Sequence, residues 1–244
     1  MEKLEKHQLH IGTSGWHYKH WLGTFYPEGT KADQQFPYYL SKFNTVEINN
    51  SFYRLPTIET FQHWRDAVPD DFLYAVKASR FITHMKKLID PVQSSSRFFE
   101  NVIGLGDKLG PILFQLPPGW NLNIDRLKDF VEKLPTQFRY VFEFRNQTWY
   151  TNEVFELLGK HNCAFCIYDL AGHMTPLVDT ANFVYVRLHG PGDKYQGSYT
   201  EEALKEWAFK CQQWLISKDV FVYFDNDIGS HAPFNALTLR KLII

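Results

Sequence analysis

Long apolar runs are missing from this chain of 244 residues. No stretch approaches the roughly 18 consecutive apolar residues that a membrane-spanning helix requires. The N-terminal MEKLEKHQLHIG carries no apolar segment of the kind a secretory signal needs, so a cytoplasmic location and no membrane partner are expected. Cysteine is scarce: three residues are too few for a disulfide-stapled scaffold. Two of them, Cys163 and Cys166, form a C-x-x-C, yet the CAFCIYD around them has the composition of a buried strand. Residues three apart on a strand point to opposite faces, whereas a redox dithiol belongs at a helix N-terminus, where the dipole supports a thiolate. The pair reads as small buried apolar residues in a reducing compartment. An excess of one charge sign is missing too, since 26 Lys and Arg stand against 27 Asp and Glu for a net charge of −1. That balance supplies no global basic field to hold nucleic acid, although it is compatible with a local cationic pocket. Linker-like Pro/Ser/Gly runs, charge blocks and low-complexity tracts are absent, so a single domain over residues 1–244 is expected.

What is present is a repeated alternation. Strand-like runs, most of them rich in Val, Ile, Phe and Tyr, occur at 8–14, 45–50, 72–78, 111–116, 139–145, 163–169, 182–189 and 220–226. Between them, ETFQHWRDAV, NIDRLKDFVEKL and TEEALKEWAFKCQQWLI place apolar residues three and four apart, as amphipathic helices do. Asn123 or Asp125 and Thr200 stand where N-caps are wanted. Pro69, Pro135 and the Gly104/Gly110 pair punctuate helix ends. Strands separated by helices pair in parallel, which gives an α/β fold. An open doubly wound sheet is compatible with that pattern, but eight units in this length match a (β/α)8 TIM barrel. About a dozen residues around Gly172, Pro176 and Asp179 join the sixth and seventh strands, too few for a crossover helix, so that connection is expected to be irregular.

Barrel enzymes keep their active sites at the carboxyl ends of the strands, and counting in twos identifies what each strand end presents. Glu47 falls with Asn49, Lys77 follows Leu73 and Ala75, and Gln115 follows Leu113. Glu143 and Arg145 share a face, as do Arg187 and His189, while CAFCIYD ends on Asp169. Asp225 and Asn226 fall on opposite faces, and parity alone does not say which turns inward. Tyr140, Phe142 and Phe144 occupy the other face of their strand, where helices would cover them, and such rings account for much of the 17% aromatic content. An internal salt network would explain one buried pair. Six strand-end charges with amides beside them point instead to a polar pocket for a small or phosphorylated ligand.

The same blocks carry a family resemblance. GTSGW (Gly12–Trp16) with Trp21, VEINNSFYRLP (Val46–Pro56) and VKASRFITH (Val76–His84) are followed by LGPILFQLPP (Leu109–Pro118) and EFRNQTW (Glu143–Trp149). Asp169, RLHG (Arg187–Gly190) and YFDND (Tyr223–Asp227) complete the series. Together they resemble the domain of unknown function 72, or YecE-like, family of bacteria and archaea. The resemblance implies a TIM-type barrel and implies no particular reaction.

Candidate roles follow from the residue types. Glu47, Glu143, His189, Lys77 and Asp169 are the candidates for catalysis, the carboxylates and the imidazole moving protons beside cations. Ser14, Trp16, Asn49, Tyr53, Arg80, His84, Gln115, Arg145, Trp149, Arg187, Lys194 and Asn226 are the candidates for ligand binding. Arginine forks suit phosphate and carboxylate, and Gly190, Gly192 and Gly197 around Lys194 suit a phosphate-binding loop after the seventh strand. Trp16, Trp21, Phe52, Tyr53 and Trp149 would offer rings to stack on a sugar or base. No cofactor is expected. A divalent metal, if present, would draw on Glu47, Glu143, Asp169, His189 and Asp225, against competition from the cations beside them. The favoured reading is an enzyme of acid/base chemistry on a small anionic ligand, a phosphorylated sugar or nucleotide-like molecule. A metal-dependent phosphodiesterase acting on DNA, by fold analogy with endonuclease IV, and a non-catalytic sensor are the alternatives.

Overall fold

A computed structural model describes residues 7–244, so the charged start of the N-terminal stretch, MEKLEK, lies outside the described residues. The strands are β1 (Leu9–Thr13), β2 (Thr45–Ile48), β3 (Leu73–Lys77), β4 (Leu109–Leu116), β5 (Tyr140–Phe144), β6 (Cys163–Leu170), β7 (His173–Met174), β8 (Phe183–Leu188) and β9 (Asp219–Phe224). The helices are α1 (Ala32–Leu40), α2 (Asn50–Tyr53), α3 (Ile58–Asp66), α4 (Pro91–Val102), α5 (Ile124–Glu132), α6 (Asn152–Lys160), α7 (Glu201–Trp214) and α8 (His231–Ile243). Eight strands follow the order β2-β3-β4-β5-β6-β8-β9-β1, so seven lie in chain order side by side and β1 pairs with the last strand, β9. With helices between parallel strands, this is the α/β fold of a (β/α)8 TIM-type barrel.

The connection between β6 and β8 is the irregular one expected. It contains the two-residue β7, paired antiparallel with the end of β6, and no helix. The caps are where sequence placed them: Asn123 accepts from Arg126 N and Thr200 accepts from Ala203 N. Among the described residues no helix is long and apolar enough to cross a membrane.

The chain divides into two compact units. The first takes in the chain up to Phe43 with Ile167–Leu177 and Asn182–Ile244, and the second takes in Asn44–Cys166 with Val178–Ala181. In the second unit, aromatic side chains join strand to helix. Phe114 on β4 and Phe142 on β5 both meet Phe130 of α5, and Phe165 on β6 meets Phe155 of α6. Each such ring, fully buried, stabilises the layer by about 1.5–3 kcal/mol relative to exposure. Gly104 admits a close approach of the same kind, because a Cβ there would meet the Ile58 carbonyl oxygen at 2.6 Å. Cys163 and Cys166 form no disulfide and are buried in β6, and burial pushes the Cys163 thiol up to about 12. A thiol so far from ionisation is a core residue and a poor nucleophile.

Candidate functional site

In the first unit, β8 and β9 pair in parallel from Phe183 opposite Asp219 to Leu188 opposite Phe224. One further backbone bond, Asp225 N to Leu188 O at 2.8 Å, extends the ladder past the last strand residue. Asp225 thereby comes beside the side chains that period two assigns to one face of β8. His189 Nδ1 lies 2.9 Å from Asp225 Oδ2, and Arg187 Nη2 donates to the same oxygen at 3.2 Å. Arg187 Nη2 also reaches Ser14 Oγ at 3.4 Å, and Nη1 stands 3.4 Å from His189 Nε2. A guanidinium only donates, so these contacts assign Nδ1–H as the donor to Asp225 and leave Nε2 as a lone pair. Arg187 and His189 are buried, and the Asp225 side chain keeps 13% of its exposure.

Two more carboxyls belong to this unit. Asp169 at the end of β6 accepts from the Tyr199 hydroxyl, which in turn accepts from Gly190 N at 3.1 Å. Burial raises the Asp169 carboxyl above its ordinary value, with Tyr199 and His173 acting in the opposite sense. Asp227 is pushed up to about 6, first by burial and then by the Asp225 charge, while His20 works against the shift. His20 Nε2 lies 3.5 Å from its Oδ2. The turn Asp225–Asp227 therefore sets a carboxyl tied to an arginine and a histidine two residues from one that titrates near neutrality.

Asn226, between them, faces elsewhere. Its Nδ2 donates to Gly197 O and to Asn235 Oδ1, both at 2.8 Å, which ties the Gly190–Gly197 loop to α8. The ambiguity at the end of β9 thus resolves, with Asp225 turned to Arg187 and His189 and Asn226 holding a loop. Gly190 has φ 108, and a Cβ there would collide with the Gln196 carbonyl oxygen, so only glycine closes this loop. Lys194 in the same loop is exposed, and the Tyr195 ring stands 5.6 Å from that of His189. Trp16 packs on Phe36 at 4.8 Å.

In the second unit, β4 and β5 place Gln115 opposite Glu143. Arg145 Nε donates to Glu143 Oε1, and Cys166 Sγ lies 3.9 Å from Glu143 Oε2. Glu143 and Glu47 are both fully buried, Glu47 standing opposite Ala75 on β3. Lys77 Nζ sits 4.4 Å over the Phe52 ring, and Ser51 Oγ donates to Lys77 O at 2.6 Å. Phe52 also meets the His84 ring edge-on at 4.9 Å, and His84 Nδ1 bonds Thr83 Oγ1 at 2.9 Å. Burial lowers the His84 imidazole below its usual value, and the nearby charges of Lys77 and Arg80 add to that. Asn49 stands at the N-cap of α2, and Arg80 is exposed.

The expected stacking wall of five aromatic side chains is corrected in two places. Trp149 is fully buried, stacked on Phe144 at 4.8 Å with Nε1 donating to Trp120 O. Trp21 is fully buried among Tyr18, Phe25 and Tyr26. Neither ring has a face left for a ligand, whereas Tyr53 is 75% exposed. Sequence reasoning did not single out Tyr199 or Asp227. Tyr199 precedes an N-cap and belongs to no strand pattern, and Asp227 lies in a turn beyond the reach of parity. Among the described residues, no three or more His, Cys, Asp or Glu side chains group so as to hold a metal ion.

Comparison with known proteins places this arrangement. The UPF0759 protein YunF of Bacillus subtilis is 24% identical over 273 residues, covering 96% of this chain and 94% of that protein. The UPF0759 protein YecE of Escherichia coli K12 is 27% identical over 143 residues, covering 58% of this chain and 50% of that protein. The crystal structure of a DUF72 family protein from Thermotoga maritima matches with a TM-score of 0.82 and 26% identity, over 97% of this chain and 99% of that one. One from Enterococcus faecalis shares the fold at a TM-score of 0.74 and 18% identity, over 97% and 95% of the two chains. The family model described as protein of unknown function DUF72 spans residues 10–244, and the chain belongs to that family.

Proposed function

We propose that this protein is an enzyme that moves protons on a small anionic ligand, a phosphorylated sugar or nucleotide-like molecule, with His189 as the acid/base group. The observation that carries the reading is the orientation of His189 by Asp225. A carboxylate on Nδ1 fixes the ring and its tautomer, and Nε2, which accepts from Arg187 Nη1 at 3.4 Å, becomes the proton acceptor of a general base once a ligand draws that guanidinium away. Arg187 lies against the same nitrogen and supplies positive charge for a developing or resident anion. Lys194 in the Gly190–Gly197 loop is the exposed cation nearest in sequence. Tyr195 of that loop covers the His189 ring, so movement of the loop is the route by which a ligand gains access. Asp169, Glu47, Glu143 and Lys77 are the further proton-transfer candidates, and the protein works in the cytoplasm on this reading.

The test is a panel of sugar phosphates and nucleoside monophosphates incubated with the protein in D2O and followed by proton NMR. Turnover or solvent-deuterium exchange is expected for at least one compound. His189→Gln, which keeps a hydrogen-bond donor toward Asp225, should lower that rate by about 10²–10⁴-fold while the protein stays folded. A rate within about threefold of wild type in the variant would remove His189 from the chemistry.

A further inference from the structure

A second constellation of cations lies in the second unit, on α4 and on the segments that follow β2 and β3. Arg54 follows α2 and Arg97 lies on α4, and both line a cavity of about 620 Å3. Leu55, Phe81 and Phe98 give this cavity an apolar wall, and Gln93 adds an amide. Among the described residues, neither guanidinium has a hydrogen-bond or ion-pair partner, and no carboxylate lines the cavity. Two like charges lining one hollow without a counter-charge create a positive potential there that an anion relieves. The volume falls within the range of small-molecule pockets.

The backbone at this place is irregular as well. Phe81–Met85 form a single π-helical turn, and Lys87, Leu88 and Asp90 adopt left-handed conformations at φ 47, 63 and 51. Residues with side chains occupy that region at a cost of about 1 kcal/mol or more each, and π turns recur at functional positions. Here the turn carries Phe81, 41% exposed, to the cavity wall.

We infer that this cavity binds a phosphate monoester with a flat apolar body: the phosphate is held by Arg54 and Arg97, and the body lies on the exposed Phe81 ring. Planar guanidinium forks match phosphate oxygens, and an apolar wall selects against a bare inorganic anion. The inference does not depend on His189, because every residue it uses belongs to a different part of the chain.

Isothermal titration with phenyl phosphate, and with inorganic phosphate as the comparison, tests it on the full chain. Phenyl phosphate is expected to bind with Kd below about 1 mM and more tightly than inorganic phosphate. Arg54→Gln and Arg97→Gln should each weaken it by about tenfold or more. Phe81→Ala should weaken phenyl phosphate and leave inorganic phosphate unchanged, and His189→Gln should alter neither. The inference is overturned if phenyl phosphate does not bind at about 10 mM. It is equally overturned if the arginine variants bind as wild type does, or if affinity is lost in His189→Gln instead.

Discussion

Arg187 and Arg54 show two opposite treatments of the same side chain. Arg187 is buried, and its guanidinium is shared among Asp225, Ser14 and His189. Arg54 is exposed at the edge of a cavity and faces no counter-charge among the described residues. A buried guanidinium is tolerated only with a carboxylate in place, so its position, and that of everything bonded to it, is fixed. An exposed one keeps its hydration and its freedom, and stays available to a ligand. The first arrangement orients a proton-transfer group, and the second recruits an anion.

The largest expected effect comes from removing the counter-charge at the buried site. Asp225→Ala should lower stability in urea unfolding by about 3–5 kcal/mol, because it removes the carboxylate that the buried Arg187 and His189 share. Replacing both residues, with Arg187→Met added, should recover much of that loss. A cost under about 1 kcal/mol for Asp225→Ala would mean that Arg187 is not held by this carboxylate, and the contrast would dissolve.

Asp227 offers the next largest effect, through pH. Its folded value of about 6 lies above the ordinary 3.8, so the fold favours the protonated carboxyl. That contribution is full below about pH 4 and is lost as the pH rises through about 6. Asp227→Asn cannot ionise and should therefore gain on wild type as the pH is raised from 4 to 7.5 in thermal melts, with little difference at the acid end. A constant difference across that range would place Asp227 in ordinary solvent. The smallest effect belongs to the exposed arginines. Arg54→Gln and Arg97→Gln should change the unfolding free energy of the ligand-free protein by no more than about 0.5 kcal/mol, and a larger loss would show that these side chains are structural after all.

Much of this molecule was legible beforehand, for reasons that differ along the chain. Most barrel strands announced themselves through Val, Ile, Phe and Tyr runs, because a strand covered on both faces is built mainly from apolar side chains. Thr200 and Asn123 marked helix starts through a local hydrogen bond that needs no tertiary information. Parity put Arg187 with His189 and Glu143 with Arg145. It stopped at Asp225 and Asn226, where the extended backbone ends and alternation no longer assigns a side. The burial of Trp21 and Trp149 escaped the same logic, since a ring in a loop motif has the same sequence signature whether it faces solvent or other rings.

By itself, the sequence determined the number, order and pairing mode of the strands, the irregular link before β8 and the family. All of these follow from periodicity, caps and motif order within short windows. Only the tertiary structure decided which oxygen receives His189, why Asp227 titrates near neutrality and that Arg54 and Arg97 share a cavity. Those properties depend on distance and desolvation between residues up to 207 positions apart, as for His20 and Asp227, and folding alone brings such groups together.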